Sequence, residues 1–146
     1  MGEVIQASTD HLHELTNLAM DLWPDNDFEN LKKEFAESID TDQNKVFLYC
    51  IEKRLVAFIH LSIRTDYVEG SNSSPIGYIE GIYVLPEFRQ KGISKKLFAR
   101  GRNWLLNKGC KQVGSDIEWN NQVSYEFHKS IGFKEANRLI AFIQDL

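Results

Sequence analysis

The sequence has few of the features that mark secreted, membrane-spanning or metal-rich proteins. Its only cysteines are Cys50 and Cys110, which cannot build a disulfide framework or a four-thiolate metal site. No uninterrupted apolar stretch approaches the roughly 18–20 residues of a membrane span. Residues 1–10 are polar and acidic and lack the apolar core of a signal peptide. We therefore expect a protein of the reducing cytoplasm, with no bound metal and no membrane association.

The length of the chain leaves room for one domain of ordinary size. It has 146 residues, and protein domains commonly have about 100–200. Apolar residues make up 42% of the chain and aromatic residues 12%. This content is sufficient for a buried core and excludes intrinsic disorder. We predict a single domain over residues 1–146.

Charge is unevenly distributed along the chain. The segment from Leu85 to Lys111 has eight basic residues and one acidic residue, a net charge of +7, whereas the rest carries −11. A basic segment favours a polyanionic partner, and an acidic remainder favours a cationic one. Helices with solvated charges of one sign explain such a split equally well.

The spacing of apolar residues predicts a layered α/β fold. Repeats at helical spacing, with capping residues before them and Pro24 and Gly109 after two of them, predict helices over 12–22, 28–39, 93–108 and 121–130. Short apolar runs bounded by turn residues predict strands over 46–51, 55–63, 77–85 and 111–115, weakly over 4–6, and a final strand or bent pair of strands over 133–143.

The most informative segment is a strand, a turn and the start of a helix, from Tyr78 to Ser94. Gly92 can adopt a positive φ, and the first N–H groups of the following helix have no partners within it. The helix dipole and the surrounding basic residues add to these N–H groups, so the turn predicts an anion site. Neither of the common glycine-rich nucleotide loops is present.

The pattern Arg89-x-x-Gly92-x-Ser94 resembles the pyrophosphate-binding motif of the Gcn5-related N-acetyltransferases (the GNAT superfamily), which prefers Gly or Ala where Ser94 stands. Asn121 and the segment 130–133 resemble the second motif of that superfamily. The resemblance implies a mixed, mostly antiparallel sheet flanked by helices. It also implies acetyl-CoA as the co-substrate, bound where two neighbouring strands separate.

A closer resemblance, to the aminoglycoside 6′-N-acetyltransferases, covers residues from about 12 to 142. It rests on segments 62–70, 74–75, 80–86, 22–24 and 115–116. It implies acetyl transfer from acetyl-CoA to the 6′-amino group of a polycationic aminoglycoside, which confers antibiotic resistance. It also implies a homodimer, since such relatives are commonly dimers.

The resemblance assigns roles to individual residues. Glu80 and Asp116 are the catalytic candidates, which would hold the acceptor ammonium or accept its proton. Trp23, Tyr67 and Asn137 would also contact the acceptor, although relatives have an acidic residue in place of Asn137. The implied cofactor-binding residues are Ile82, Tyr83, Val84, Gln90, Lys91, Gly92, Ile93, Ser94, Lys95 and Asn121.

Residue types alone leave several of these roles open. The alternative role of Glu80 is that of an outward-facing residue on a solvated face of its strand, although burial of a carboxylate in an apolar strand favours function. The alternative role of Asp116 is a helix or turn cap, and that of Asn121 is a helix cap. His128 stands where many superfamily members have a tyrosine that acts as general acid, so protonation of the thiolate by a tyrosine is not expected.

Two alternative functions also remain at this point. An acetyltransferase of another amine, such as a polyamine or a protein N-terminus, would keep the Arg89–Ser94 turn but not the combination of Tyr67, Glu80 and Asp116. A nucleic-acid-binding protein would use the basic segment from Leu85 to Lys111. The acidic overall balance and the lack of a motif with base-stacking aromatics oppose that alternative.

Overall fold

A five-stranded sheet forms the centre of the computed structural model, which describes residues 1–146. The strands lie side by side in chain order as β1 (Gly2–Gln6), β2 (Asn44–Ile51), β3 (Arg54–Arg64), β4 (Ile76–Val84) and β5 (Val113–Gly114). The first four pair antiparallel, and only β5 runs parallel to its neighbour. The expected mixed, mostly antiparallel sheet is confirmed.

Helices cover both faces of this sheet. They are α1 (Leu12–Leu22), α2 (Phe28–Ile39), α3 (Ile93–Asn107) and α4 (Gln122–Ser130). The apolar sides of α1 and α2 pack on one face, where Phe35 and Leu15 join a cluster around Phe58. The apolar side of α3 packs on the other face, where Leu97 and Leu105 join a second cluster. The predicted helices and layers are therefore present.

The strand predicted over 133–143 is wrong. Residues after Phe133 form no helix or strand, and none of them takes part in a backbone hydrogen bond. A strand is stable only where a neighbour pairs its N–H and C=O groups, and no part of this chain does so here. The apolar side chains of Leu139, Ile140, Phe142 and Ile143 are 71% to 96% exposed.

A β-bulge on β4 determines the surroundings of Glu80. His60 of β3 lies opposite Gly81, and Leu61 lies opposite Ile79, so Glu80 is left without a residue opposite it. A bulge bends the strand and changes the direction of a side chain. This accounts for a glutamate in the middle of an otherwise apolar strand.

Strands β4 and β5 separate after a very short contact. They pair only where Gly77 meets Val113 and Tyr78 meets Gly114. From Ile79 to Val84, the side of β4 that faces away from β3 has no strand beside it. The fold thus leaves an open strand edge directly before the turn that leads into α3. No helix combines the length and the apolar content needed to cross a membrane.

Candidate active site

The turn between β4 and α3 presents six backbone N–H groups with no partner in the chain. These are the N–H groups from Gln90 to Lys95, and the first bond into the helix is from the Lys96 N–H to the Gly92 carbonyl at 3.1 Å. Gln90 and Gly92 have φ values of 62° and 78°, so the positive φ expected of Gly92 is confirmed. A Cβ on Gly92 would meet nothing within 4 Å. This exposed turn at a helix N-terminus fits a pyrophosphate.

The cofactor candidates on β4 lie on its open edge. The carbonyl oxygen of Val84 already accepts a hydrogen bond from Nε of Arg89 at 2.8 Å. The hydroxyl of Tyr83 donates to Asp21 at 3.2 Å. Burial, and then the charge of Asp21, raises the pKa of this tyrosine. Ile82 has no such side-chain partner, and half of the backbone groups along this edge point away from β3.

Helix α4 meets the end of β5 through a histidine and a serine. Nδ1 of His128 lies 2.7 Å from the carbonyl oxygen of Ser124, and Nε2 lies 2.7 Å from Oγ of Ser115. Because a carbonyl only accepts, Nδ1 carries a proton, and Nε2 is hydrogen-bonded to the Ser115 hydroxyl. Asn121 caps α4, with its Oδ1 3.1 Å from the Ser124 N–H. The contact with Ser115 was not predicted, because it depends on how α4 packs beside the end of β5.

An open cavity of about 310 Å³ lies beside the bulge of β4. Trp23, Glu34, His60 and Glu80 are among the residues that line it. Trp23 comes from the end of α1 and packs against Gly81, where any Cβ would lie 2.5 Å from the indole ring. Two carboxylates and an aromatic ring suit a cationic ligand. Glu34 and His60 were not predicted as site residues, because only the packing of α2 on the sheet brings them to Glu80.

His60 is held neutral in this cavity wall. Burial lowers its pKa, and the nearby negative charge of Glu80 opposes this effect only in part. Its Nε2 lies 2.9 Å from Oδ1 of Asn44.

The carboxylate of Glu80 is hydrogen-bonded by two neighbours on β3. Nη2 of Arg64 lies 2.9 Å from Oε1 and 2.8 Å from Oε2, and Nε lies 3.2 Å from Oε2. The hydroxyl of Ser62 also donates to Oε2. The side chain of Glu80 is 27% exposed, so it is neither fully buried nor free in solvent.

Asp116 is hydrogen-bonded by Tyr78 across the gap between β4 and β5. The Tyr78 hydroxyl donates to the Asp116 carboxylate. Burial and this hydrogen bond raise the pKa of the phenol, so it remains a donor at neutral pH. The guanidinium carbon of Arg64 lies 3.6 Å from the centre of the Tyr78 ring. Ser62 and Arg64 belong to a segment on which the resemblance rests, but their contacts with Glu80 and Tyr78 depend on the strand register and were not predicted.

Tyr67 and Asn137 lie at a second location. The Tyr67 side chain is 72% exposed, and its hydroxyl lies 3.4 Å from the Gly70 N–H. Asn137 donates to Oε2 of Glu69 at 2.5 Å, which ties the segment after α4 to the loop after β3. No hydrogen bond joins Tyr67 or Asn137 to Glu80 or to Asp116.

Other reactive side chains are not arranged for catalysis. No group of three or more His, Cys, Asp or Glu side chains is positioned to hold a metal ion. Both cysteines are free, and burial raises the pKa of the Cys110 thiol, which disfavours the thiolate needed for nucleophilic attack.

An N–H-rich turn after the end of β4 and an acidic cavity beside the bulge in its middle suit a group transferase with an anionic donor and a cationic acceptor. Comparison with known families gives the class directly. The family model described as Acetyltransferase (GNAT) family matches residues 12–133, and the chain belongs to this family.

Individual relatives are similar to this protein over nearly its whole length. The sequence is 35% identical over 140 residues to an aminoglycoside N(6′)-acetyltransferase type 1 of Salmonella enteritidis, covering 96% of this chain and 97% of that protein. The fold matches AAC(6′)-Iy in complex with the bisubstrate analogue CoA-S-monomethyl-acetylneamine with a TM-score of 0.95 at 34% identity, over 100% of this chain and 99% of that one.

A further solved structure shows the same similarity. The aminoglycoside antibiotic 6′-N-acetyltransferase AAC(6′)-Ih of Acinetobacter baumannii matches with a TM-score of 0.93 at 30% identity, over 100% of this chain and 99% of that one. The resemblance stated from the sequence is confirmed.

Proposed function

We propose that this protein transfers the acetyl group of acetyl-CoA to the 6′-amino group of aminoglycosides and thereby confers resistance to them, acting as a single N-acetyltransferase domain over residues 1–146. The main observation is that one strand joins two complementary sites. Its bulge presents Glu80 to a cavity that also contains Trp23, and its end continues into the N–H-rich turn at Gly92. The relatives named for this activity support the proposal.

The donor site would use backbone groups more than side chains. In this proposal the N–H groups from Gln90 to Lys95 bind the pyrophosphate of acetyl-CoA, and Lys91 and Lys95 add positive charge. The open edge of β4 from Ile82 to Val84 would pair with the pantetheine amides. Asn121 acts first as a cap of α4, so a contact with the pantetheine arm is a second role.

The acceptor site would recognise charge. An aminoglycoside carries several ammonium groups, and the carboxylates of Glu80, Asp116 and Glu34 offer charge-assisted hydrogen bonds to them. We assign acceptor contacts to Trp23, which lines the cavity, and to Tyr67 and Asn137, which lie in the segments after β3 and after α4.

The reaction needs a neutral amine and a polarised thioester. The ammonium loses one proton to a carboxylate or to water, and the neutral amine attacks the thioester carbon. The C–N bond forms as the C–S bond breaks, and the second proton lost from the nitrogen is taken up, through solvent, by the departing sulfur, so that CoA leaves as the thiol. In this proposal, backbone N–H groups on the open edge of β4 polarise the carbonyl oxygen. The position of the usual tyrosine holds His128, and its Nε2 is bonded to Ser115.

We also propose that the protein is a cytoplasmic homodimer in which the C-terminal segment of each chain packs on the other. The apolar side chains of Phe142 and Ile143 are more than 90% exposed, and apolar surface of this kind marks an interaction site. The unpaired backbone of this segment supplies N–H and C=O groups that an adjacent strand would satisfy. The two free cysteines fit a reducing compartment.

The relatives do not support either alternative function, an acetyltransferase of a polyamine or protein N-terminus or a nucleic-acid-binding protein. The proposal is tested by steady-state kinetics with acetyl-CoA and two drugs, one with a 6′-amine (kanamycin type) and one with a 6′-hydroxyl. We expect turnover of the first drug only, because the second lacks the nucleophile. Turnover of spermidine or of a peptide without turnover of either drug would contradict the proposal.

The same assay tests Glu80 with a matched control. Glu80→Gln should lower kcat/KM for the drug about 10- to 100-fold, the usual cost of losing a charge-assisted hydrogen bond. The KM for acetyl-CoA should remain unchanged. Glu37→Gln removes an equal charge from an exposed position on α2 and should leave both constants unchanged. Equal drug kinetics for wild type and Glu80→Gln would remove Glu80 from the site.

A further inference from the structure

A single cation lies among the carboxylates of the acceptor site. The guanidinium of Arg64 donates to both oxygens of Glu80, at 2.9 Å to Oε1 and 2.8 Å to Oε2. Its carbon lies 3.6 Å from the centre of the Tyr78 ring, and the Tyr78 hydroxyl donates to Asp116. Arg64 is therefore in contact with one carboxylate and with the hydrogen-bond partner of the other.

The donors are unequally shared between the two oxygens of Glu80. Oε2 accepts from Ser62 and from both Nε and Nη2 of Arg64, whereas Oε1 accepts from Nη2 alone. A carboxylate oxygen has about two acceptor sites. Oε1 thus has room for one more donor, and Oε2 has none. An ammonium that binds Glu80 must bind at Oε1.

This geometry puts two cations on the same oxygen. Nη2 of Arg64 is 2.9 Å from Oε1, and a bound amine nitrogen would lie about 2.8 Å from it, so the two nitrogens are at most about 6 Å apart. At such a separation a fixed positive charge favours the neutral form of an amine.

We propose that Arg64 is a positioning residue for acetyl transfer: it directs the acceptor amine to Oε1 of Glu80 and favours the uncharged, nucleophilic form of that amine. The inference rests on the proposed function. The released proton passes to solvent water, after which the neutral amine attacks the thioester. Arg64 itself exchanges no proton and touches no reacting atom.

Other titratable groups face the same place. They are Tyr78 on β4, His60 on β3, Asp116 after β5 and Glu34 on α2. Their carboxylates stabilise an ammonium, and Arg64 is the only fixed cation that contacts Glu80. Removing it should therefore raise the pKa of the bound amine, because the unpaired Glu80 carboxylate would then act on the amine alone.

The test compares kcat against pH for wild type, Arg64→Gln, Arg64→Lys and Arg54→Gln. Arg54 is the matched control, since it also lies on β3 and pairs with a glutamate, Glu87, at 3.8 Å, but at the exposed opposite end of the strand. We expect the midpoint of the alkaline rise in Arg64→Gln to move up by about one pH unit, with kcat at neutral pH about tenfold lower. Arg54→Gln should keep the wild-type midpoint.

Arg64→Lys separates charge from geometry. It keeps the positive charge but loses the two-point contact, so we expect a midpoint near that of wild type and a higher KM for the drug. A purely structural role would lower kcat at every pH without moving the midpoint, and that result in Arg64→Gln would overturn the inference. If the wild type is active and Arg64→Gln has the same pH midpoint of kcat, only the role of Arg64 is contradicted. If the wild type acetylates no 6′-amino drug, the proposed function is contradicted as well.

A second measurement does not depend on turnover. The ¹⁵N chemical shift of a labelled 6′-amine, titrated in complex with the enzyme and CoA, reports its protonation directly. We expect the bound amine to titrate at lower pH in wild type than in Arg64→Gln. Equal titration in the two complexes would overturn the inference.

Discussion

A Cβ atom on Gly81 would lie 2.5 Å from Cη2 of Trp23, so the indole ring occupies the space that any larger residue would need. Gly81 follows the bulged residue Glu80 on β4. The missing side chain therefore allows the aromatic wall of the cavity to lie directly beside its carboxylate.

Gly81→Ala should displace Trp23 and weaken acceptor binding. We expect KM for a 6′-amino drug to rise roughly tenfold, since a displacement of about 1 Å in a binding group has costs of this order or larger. The KM for acetyl-CoA should not change. Gly101→Ala is the control: its Cβ would lie 2.7 Å from Leu61 on the opposite face of the sheet. An equal rise in drug KM in both variants would show that general loss of packing, and not Trp23, is responsible.

Gly92→Val should weaken acetyl-CoA binding. A β-branched residue at a φ of 78° is strained by roughly 1–2 kcal/mol, so the turn should relax and its N–H groups should point elsewhere. We expect the Kd for acetyl-CoA, measured by calorimetry, to rise about tenfold.

Gly109→Val provides the matched control for Gly92. Gly109 has a φ of 88° at the other end of α3, and a Cβ there also meets nothing within 4 Å. Both variants should lose similar stability, but only Gly92→Val should lose affinity. Unchanged acetyl-CoA affinity in folded Gly92→Val would contradict the assignment of the turn.

The partly buried His60 should make the fold sensitive to acid. Its pKa in the folded state is lowered below the ordinary 6.5 by burial. Above the ordinary value of 6.5, the ring is neutral in both the folded and the unfolded chain, so His60 does not lower the stability of the fold. As the pH falls below 6.5, His60 binds a proton in the unfolded chain before it does so in the folded protein, and the free energy of unfolding decreases. Urea unfolding at about pH 7.5 and about pH 5.5 should show a steeper loss for wild type than for His60→Gln. Parallel losses would show that His60 titrates alike in both states.

The exposed C-terminal segment should control assembly. Phe142 and Ile143 are 91% and 96% exposed. Replacing both by aspartate should therefore change the stability of a monomer little but should strongly weaken the association of two chains. We expect sedimentation equilibrium to give a dimer for wild type and a monomer for the double variant. Leu106→Asp, on the outer side of α3, should stay dimeric. A monomeric wild type would contradict the proposed homodimer.

Local features of the fold were predictable, whereas relations between strands were not. The helix boundaries and the left-handed Gly92 followed from periodicity and turn chemistry, which depend on neighbouring residues. The bulge that leaves Glu80 unpaired depends on how β3 and β4 align, and a shift of one residue changes every contact. For this reason Arg64 and Tyr78 could not be connected with Glu80 and Asp116 beforehand.

The strand predicted after α4 failed for a different reason. Its apolar composition is typical of a strand, but strand formation requires an adjacent strand, and periodicity does not say where one is. Glu34 was missed for a related reason, since it is one of several exposed charges on α2 until the packing of that helix brings it to the cavity.

The central claim, acetyl transfer to the 6′-amine of an aminoglycoside, is tested most directly by locating the acetyl group in the product. The enzyme is incubated with acetyl-CoA and a kanamycin-type drug, and the product is examined by mass spectrometry and two-dimensional NMR. We expect a single added acetyl group, with its carbonyl carbon coupled to the protons at the 6′ position. An acetyl group on any other nitrogen, or an unmodified drug beside acetyl-CoA that the enzyme demonstrably binds, would contradict it.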